Sequence, residues 1–294
     1  MRTIEYEVVD VFTDHALEGN PLAVFPNAEG LDDATMQAIA RELNLSETSF
    51  ILAPADARCA ARVRIFTPAY EMLFAGHPTI GTSYVMLERG LVARDVDRFV
   101  LEEKIGPVLV RVEPGENGTI WLMTPPIRKG ATFDRAFAAQ TVNLTEEDLL
   151  ADVMPQLLSA GNPNLYIAVQ DKSAVDRAVP NAAQIAEIPA GEDGPPCVFV
   201  FTPTEHGAYS RMFAQEHGVA EDPATGSATG PLAAYMMEHG LAPHFDGARF
   251  VSEQGTKMKR RSLLHVFVHG EYGAAGIEVG GRVVPIAKAT MSLP

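Results

Sequence analysis

The stretch AGHPTIGTSYVMLERGL, residues 75–91, occurs in the chain in a second, related form. The second form is EDPATGSATGPLAAYMMEHGL, residues 221–241, and the two align at a constant offset of 150 residues (226 minus 76). His77 then falls on Ser227, and the identical pairs are Gly76 and Gly226, Thr79 and Thr229, Met86 and Met236, Glu88 and Glu238, Gly90 and Gly240, and Leu91 and Leu241. So many matches at one spacing indicate an internal duplication.

Both copies have the pattern of a buried helix that begins at a glycine. Each run is apolar on nearly every face, with charge only in its last turn, and a helix that is apolar all round is a buried one. Gly90 and Gly240 end the two runs, where a left-handed residue is expected. The first-turn N–H groups and the positive end of the helix dipole make each start a ready site for a carboxylate or a phosphate. Two such starts, one from each half, predict a single cleft between two domains.

The composition excludes several classes of function. The chain has 294 residues, 47% hydrophobic and 21% charged, which is typical of a globular protein with room for two domains. Its net charge of −15 makes nucleic acid a poor partner, although a small anion can still bind at a helix start. Since no apolar run reaches the length of a membrane span, no membrane partner is expected.

The two cysteines, Cys59 and Cys197, show neither CxxC nor metal-like spacing. We interpret them as reduced structural thiols of a cytoplasmic protein. The first residues, MRTIEYEVVDVF, alternate like a strand and lack the charged head and apolar core of a signal peptide, which also favours the cytoplasm. The histidines show no ligand spacing, so no metal site is predicted.

Alternation and turn signals predict an α+β chain in which strands surround one dominant helix in each half. One further helix is predicted from Asp32 or Asp33 to about Leu43, with Asn44 as its stop, and another around residues 146–159. The predicted strands are residues 6–12, 22–25, 49–53, 62–66, 99–103, 107–113, 120–123, 164–169, 197–201, 209–213, 250–253, 263–269, 276–279 and 282–287.

The domain boundary is predicted where two prolines interrupt the chain, in residues 124–130. We therefore expect a first domain over residues 1–126 and a second over residues 127–279. The last strand, about residues 280–294, is a candidate addition to the first domain.

Polar residues at the two helix starts are the first candidates for catalysis. His77 lies at one start, and Asp222, Gly226 and Ser227 lie at the other. A lone residue of this kind is more commonly a cap than a catalyst, but the duplication places both starts at one cleft, where proton transfer is expected. His77, Asp222 and Ser227 also have the composition of a hydrolase triad, yet the sequence AlaThrGlySerAlaThrGly lacks the GxSxG elbow, which disfavours a serine hydrolase. Glu47, from pattern alone, is interpreted as a solvated turn residue.

Four motifs resemble the PhzF-like isomerase family of phenazine biosynthesis. They are GNPLAVF (19–25), NLSETSF (44–50), AGHPTIG (75–81) and EDPATGSATGPL (221–232), in this order over about two hundred residues. The resemblance implies the diaminopimelate epimerase-like fold. That fold has two pseudo-symmetric domains, each a curled, mostly antiparallel sheet around a central helix, with the active site in the interdomain cleft.

The resemblance also implies roles for individual residues. Glu47 matches the glutamate that acts as general acid/base in the family. His77 and Asp222 match the histidine and the aspartate that hold the substrate and assist proton transfer. Gly76, Gly226 and Ser227 are expected to bind the carboxylate of the substrate. Asn20, in the first motif, is also expected to bind the substrate.

The defining member of the family isomerises trans-2,3-dihydro-3-hydroxyanthranilate by moving a proton between two carbons, without a metal or an organic cofactor. The resemblance therefore implies a cofactor-independent isomerase of a small, cyclic carboxylate, and a homodimer. Two alternatives stay open. One is a non-catalytic protein that binds a small carboxylate or serves as a scaffold on the same fold. The other is an amino-acid epimerase or racemase without thiols, since His77 and Ser227 occupy the helix starts where related epimerases have cysteines.

Overall fold

A computed structural model describes residues 2–115, 118–215 and 218–293 of the chain. The strands are β1 (Arg2–Val11), β2 (Asn20–Phe25), β3 (Glu47–Leu52), β4 (Ala61–Phe66), β5 (Arg98–Glu103), β6 (Gly106–Val112), β7 (Ile120–Met123), β8 (Arg128–Thr132), β9 (Gln156–Ser159), β10 (Pro163–Ala168), β11 (Cys197–Thr204), β12 (Gly207–Ala214), β13 (Val219–Asp222), β14 (Arg249–Gln254), β15 (Ser262–His269), β16 (Gly276–Gly281) and β17 (Val283–Leu293). The helices are α1 (Asp33–Leu43), α2 (Gly76–Glu88), α3 (Arg135–Thr141), α4 (Lys172–Arg177), α5 (Ala182–Ile185) and α6 (Gly226–Glu238). Within these ranges, no helix combines the length and the apolar character needed to cross a membrane.

The first compact unit consists of the described residues up to Met123 together with those from Gly280 onward. Its strands pair in the order β7–β6–β5–β4–β3–β2–β1–β17, and these pairs are antiparallel except β2 with β3 and β4 with β5. Helix α2 contacts β7 and β17, the two ends of this order, as well as β1, β2 and β3. The sheet therefore curls round α2.

The central helix α2 is buried, as its composition predicts. Ten of its 13 residues are buried. Gly81 allows the helix to approach the sheet closely, because a Cβ there would lie 2.6 Å from Leu22 Cδ2 and 2.8 Å from Val11 Cγ2. The hydroxyls of Ser49 on β3 and Thr82 on the helix share a hydrogen bond of 2.7 Å. These contacts fix α2 against the strands that carry the candidate site.

Helix α1 packs on β3 and β4. Asp32 accepts a hydrogen bond of 2.8 Å from the N–H of Thr35, and Asn44 ends the helix in the left-handed conformation with φ 51°. Both predicted ends of this helix are confirmed. A ladder of aromatic rings crosses β1 to β4 with neighbouring centroids between 4.9 and 5.5 Å apart, formed by Tyr6, Phe25, Phe50 and Phe66.

The second compact unit consists of the described residues from Thr124 to Val279. Its strands pair in the order β8–β9–β10–β11–β12–β14–β15, with β13 also paired to β12; β10 with β11 and β12 with β14 are parallel, and the other pairs are antiparallel. Helix α6 contacts β9, β10 and β15, and 11 of its 13 residues are buried. The hydroxyl of Tyr166 on β10 donates to the carbonyl of Ala228 at 2.7 Å, which ties the helix to the sheet.

The two units repeat one order of elements. The series β2, β3, β4, α2, β5, β6 in the first unit corresponds to β10, β11, β12, α6, β14, β15 in the second, with β13 added before α6. The successive strand pairings are parallel, antiparallel, parallel and antiparallel in both series.

Both central helices also end in the same way. The N–H groups of Leu91 and Leu241 bond to carbonyls five residues back, at 2.9 and 2.8 Å, across Gly90 and Gly240. The two glycines have φ 68° and 67°. This is the Schellman arrangement, in which glycine takes the left-handed position at no steric cost. The predicted glycine stops are confirmed.

One predicted helix is wrong. Residues 146–159 form a single 3₁₀ turn, Glu146–Asp148, followed by strand β9. Asp152 has φ 61°, which breaks a right-handed helix, and Pro155 lacks the N–H that a helix would need. The helix of this region lies earlier, at α3, where the side chain of Asp134 accepts a hydrogen bond from the first turn.

The predicted strands are present, whereas β8, β9 and β13 were not predicted; among the predicted strands, the largest differences in length are at the two ends of the chain. β1 begins at Arg2 and β17 extends to Leu293 because these strands pair along their whole length, from Arg2 opposite Leu293 to Val11 opposite Val283. Backbone pairing extends both strands beyond the residues that alternate.

Candidate active site

Three predicted site residues, Asn20, Glu47 and His77, come together in the first unit. Asn20 and Glu47 begin the neighbouring parallel strands β2 and β3, so both lie at the same end of this part of the sheet. His77 is the second residue of α2. Its Nδ1 lies 3.1 Å from Asn20 Nδ2, and its Nε2 lies 3.4 Å from Glu47 Oε2. The predicted acid/base residue and the predicted histidine are therefore in contact.

The contact with Asn20 fixes which nitrogen of His77 carries a proton. An amide nitrogen can only donate, so Asn20 Nδ2 donates to Nδ1 and Nδ1 has no proton. Burial lowers the pKa of His77 to about 3, so the imidazole is neutral at pH 7. Its single proton is on Nε2, the nitrogen that lies 3.4 Å from Glu47 Oε2.

Glu47 is mostly shielded from water. Its side chain is 13% exposed, whereas Asn20 and His77 are buried. A carboxylate in this setting can meet a ligand at its open edge while bulk water is largely kept away. This is the geometry that a base needs to take a proton from carbon.

The start of α2 lacks a side-chain cap. Ala75, at the N-cap position, makes no side-chain hydrogen bond to the first turn, and that turn contains no acidic residue. Gly76, the buried first residue of the helix, has no side chain that would obstruct a ligand. The helix dipole at this end is therefore available to a bound anion.

The other three predicted site residues lie in the second unit, at the start of α6. Asp222 ends β13, and Gly226 and Ser227 open the helix; all three are buried. Thr225, at the N-cap position, makes no side-chain hydrogen bond to the first turn. Its hydroxyl donates instead to Asp222 Oδ2 at 2.5 Å. This start also lacks a cap from its own side chain.

Gln254 holds the turn between Asp222 and Thr225 together. Its Nε2 donates to the backbone carbonyl of Asp222 at 2.7 Å and to Thr225 Oγ1 at 2.9 Å, and its Oε1 accepts from the N–H of Thr225 at 3.2 Å. Because Thr225 Oγ1 accepts a proton from Gln254, its own proton is directed to Asp222. The fully buried Gln254 thus sets the orientation of the Asp222 carboxylate.

Sequence reasoning missed Thr225 and Gln254 as parts of this site. A signal was present, because RFVSEQ (residues 249–254) resembles RFVLEE (residues 98–103) at an offset of 151 residues (254 minus 103). That similarity makes Gln254 the counterpart of Glu103, whose Oε1 lies 2.6 Å from the hydroxyl of Thr79 on α2. In both units, the last residue of this pattern contacts a threonine near the start of the central helix, which is Thr79 in the first turn of α2 and Thr225 at the N-cap position of α6.

The two thiols lie on other elements than the helix starts. Cys59 precedes β4 and Cys197 opens β11; both are buried, and neither is in a disulfide. His77 and Ser227 occupy the second positions of α2 and α6. A pair of thiols at these two starts is therefore excluded.

Known proteins with similar sequences include isomerases. Residues 9–289 match the family described as phenazine biosynthesis-like protein. The trans-2,3-dihydro-3-hydroxyanthranilate isomerase of Pseudomonas aeruginosa is 32% identical over 286 residues, which cover 96% of this chain and 97% of the relative. An uncharacterised isomerase of Mesorhizobium japonicum is 35% identical over 300 residues, which cover 98% of each chain.

Solved structures share the fold over the whole chain. A phenazine biosynthesis protein of the PhzF family from Bacillus anthracis has a TM-score of 0.85 at 27% identity and covers 100% of both chains. A hydroxyproline epimerase from Agrobacterium vitis has a TM-score of 0.71 at 16% identity and covers 99% of this chain and 93% of its own. These matches confirm the fold that the resemblance implied.

Proposed function

Because the chain belongs to the phenazine biosynthesis-like protein family, we propose that it is an isomerase that moves a proton between two carbons of a small, cyclic carboxylate. The observation that supports this most strongly is the contact between His77 and Glu47. It places a neutral imidazole, through its Nε2, 3.4 Å from a shielded carboxylate. Relatives that are 35% and 32% identical over nearly the full chain are named as isomerases.

Glu47 is the general acid/base of this proposal. Its carboxylate takes a proton from one ring carbon, and the electron pair of the C–H bond enters the adjacent π system. The acidic hydrogen of the carboxyl exchanges with solvent, and the carboxyl then delivers a proton, or a deuteron in D₂O, to a second carbon, so one hydrogen leaves the substrate, one is added, and no co-reactant is needed. General acid/base catalysis of this kind supplies about 10²- to 10⁴-fold in rate.

Neutral His77 supports Glu47 as a base. Its Nε2–H can donate to the carboxylate, or to charge that develops on the substrate, without bringing a full positive charge next to Glu47. An imidazolium there would stabilise the ionised carboxylate and weaken it as a base. Burial of His77 and the hydrogen bond that Asn20 donates to Nδ1 keep the ring in the neutral form.

We further propose that each of the two helix starts binds a carboxylate. Gly76 on α2 and Gly226 and Ser227 on α6 supply N–H groups and a hydroxyl that can hold a carboxylate and spread developing negative charge. Asp222 assists the proton transfer, with its carboxylate oriented by Thr225. The duplication supports this proposal because each copy of the repeat provides one such helix start.

The proposed function is tested with trans-2,3-dihydro-3-hydroxyanthranilate and a panel of small cyclic carboxylates in D₂O. We expect at least one of them to be converted, with deuterium appearing at carbon in the NMR spectrum. Compounds that raise the melting temperature but are neither converted nor exchanged would indicate a binding protein instead. Loss of optical rotation of an amino acid would indicate an epimerase.

Three further expectations remain predictions. The reaction should proceed without a metal or an organic cofactor, so that dialysis against a chelator leaves turnover unchanged. A homodimer should sediment at twice the chain mass of 31.7 kDa. A cytoplasmic location is expected for a protein with two reduced thiols.

A further inference from the structure

Glu103 is a buried acid with no part in the proposed chemistry. It ends β5 and is 5% exposed. Its Oε1 contacts the hydroxyl of Thr79 on α2, while its Oε2 is buried and has no hydrogen-bond partner within the described ranges. An ionised carboxylate in such a place would be costly, because burying a charge requires several hydrogen bonds or an opposite charge.

The second unit has a glutamine at the equivalent place. Glu103 ends RFVLEE on β5, and Gln254 ends RFVSEQ on β14. β5 pairs in parallel with β4 and antiparallel with β6, and β14 pairs in the same way with β12 and β15. Gln254 donates a hydrogen bond to the hydroxyl of Thr225, which donates one to Asp222. The first donor in this series of hydrogen bonds is therefore an amide N–H.

The hydroxyl of Thr79 has two oxygen atoms within hydrogen-bond distance. Thr79 Oγ1 lies 2.7 Å from the carbonyl oxygen of Ala75 and 2.6 Å from Glu103 Oε1. A hydroxyl carries one proton, and a carbonyl oxygen can only accept. Both contacts are hydrogen bonds when Thr79 donates to Ala75 and the carboxyl of Glu103 supplies the proton between Oε1 and Oγ1.

We propose that Glu103 is a positioning residue, which donates the proton of a neutral carboxyl to Thr79 and so fixes the turn that carries Gly76 and His77. Thr79 closes this turn on the carbonyl of Ala75, and Glu103 sets the direction of its hydroxyl. A neutral carboxyl offers one donor and one acceptor, as an amide does, which explains why glutamate and glutamine occupy equivalent places. The proposal rests on the proposed function only for the part that Gly76 and His77 take in catalysis.

Burial favours the neutral form of this carboxyl. It raises the pKa of Glu103 to about 8, although a hydrogen bond donated by Thr79 to the ionised carboxylate would lower this pKa. On α2, the neighbouring titratable group His77 is neutral at pH 7 and contacts Asn20 and Glu47.

The charged groups on the surrounding strands are directed elsewhere. Glu102, the residue before Glu103, lies on the opposite face of β5, as side chains alternate along a strand, and Arg62 of β4 lies opposite Glu102 in register. Lys104 pairs with Glu71 at 3.2 Å. On β4, Arg64 is paired with Asp33 and Glu71, and on β6, Arg111 is paired with Glu113. The remaining titratable groups of α2, Tyr84 and Glu88, lie in its last turns.

The direct test is a carbon-13 NMR titration of the side-chain carboxyl of Glu103. Its signal is assigned as the one missing from the Glu103→Gln variant. We expect a midpoint near 8, and a midpoint near the ordinary 4.5 would overturn the proposal. Because the titration needs no substrate, its outcome is independent of whether the proposed isomerase reaction is found.

Two variants test the positioning role. Glu103→Gln keeps a donor for Thr79, so the amide resonances of Gly76 and His77 should stay where they are in the unchanged protein. Glu103→Leu removes the donor, so the same resonances should shift. Equal shifts in both variants would overturn the role of the donated proton. If the leucine variant does not fold, the titration of the unchanged protein still decides the protonation state.

Discussion

Asn20 determines the chemical character of His77 because its amide nitrogen can donate a proton and cannot accept one. The 3.1 Å contact places the lone pair of the imidazole on Nδ1 and its proton on Nε2, next to Glu47. Asn20, which is neither an acid nor a base, thus decides that Glu47 lies next to the protonated nitrogen of His77.

Asn20→Asp should reverse this arrangement. A carboxylate accepts instead of donating, so Nδ1 must carry a proton, and Nε2 either presents a lone pair to Glu47 or belongs to an imidazolium. We expect turnover to fall on the order of 10²-fold, as for loss of an effective acid/base partner. Nitrogen-15 NMR of His77 should show the changed protonation of the ring.

Asn162→Asp is the matched control. Asn162 lies in the corresponding Gly-Asn-Pro sequence of the second unit, and its substitution adds the same charge. It should leave the nitrogen resonances of His77 unchanged. If Asn20→Asp also leaves them unchanged, Asn20 does not set the tautomer.

The duplication could not predict Glu47, because the two copies differ at that position. Glu47 begins β3 opposite Leu22 of β2, and Cys197 begins β11 opposite Asn164 of β10. Equivalent backbone positions therefore carry a carboxylate in one unit and a thiol in the other. Only the resemblance of the NLSETSF motif pointed to Glu47, whereas His77, Asp222 and Ser227 followed from the repeat itself.

Among the elements, the close contact of α2 with its sheet depends on Gly81. Gly81→Ala should lower the unfolding free energy by about 1–3 kcal/mol, the usual cost of overpacking, because the new Cβ would lie within 3 Å of two side chains, from Val11 and Leu22. The higher helix propensity of alanine, about 1 kcal/mol, offsets only part of this cost. Urea unfolding measures the difference.

Gly191→Ala is the control for this prediction. A Cβ at Gly191 would have no neighbour within 4 Å. Its unfolding free energy should stay within roughly 0.5 kcal/mol of the unchanged protein. Equal stability of the two variants would mean that the sheet yields to the added methyl group.

The elements that burial alone defines could be predicted from the sequence. α2 and α6 were found because they are apolar on all faces and end at glycine, and α1 because Asp32 and Asn44 mark its ends. The region before β9 was misassigned because its apolar spacing resembles a helix that Pro155 does not allow. The similarity of RFVLEE and RFVSEQ relates Glu103 to Gln254, but it does not show their hydrogen-bond partners. Those partners, Thr79 and Thr225, lie more than 20 residues away in the sequence.

For the whole molecule, two buried groups should shape the dependence of stability on pH. His77 has a pKa of about 3 when folded against 6.5 ordinarily, so its contribution is fully present above pH 6.5 and is lost as the pH falls. Glu103 has a pKa of about 8 when folded against 4.5 ordinarily, so its contribution is fully present below pH 4.5 and is lost as the pH rises. Between pH 4.5 and 6.5 the two dependences cancel.

Glu103→Gln should therefore change the profile in a defined way. Between about pH 4.5 and 8, the unchanged protein should lose about 1.4 kcal/mol of unfolding free energy per pH unit relative to the variant. Urea unfolding at several pH values gives the difference between the two proteins, in which the contributions of all other groups cancel. Parallel profiles above pH 6.5 would show that Glu103 is already ionised in the folded protein.

The central claim, that Glu47 moves the proton, is tested most directly by deuterium incorporation in the Glu47→Gln variant, with a substrate that the unchanged protein converts in D₂O. Glutamine keeps the size of the side chain and removes the base, so the variant should bind the substrate with similar affinity. Its rate of incorporation at carbon should be lower by at least about 10²-fold. Glu42→Gln, at an exposed position of α1, should exchange at the rate of the unchanged protein. Undiminished exchange in Glu47→Gln would contradict the account.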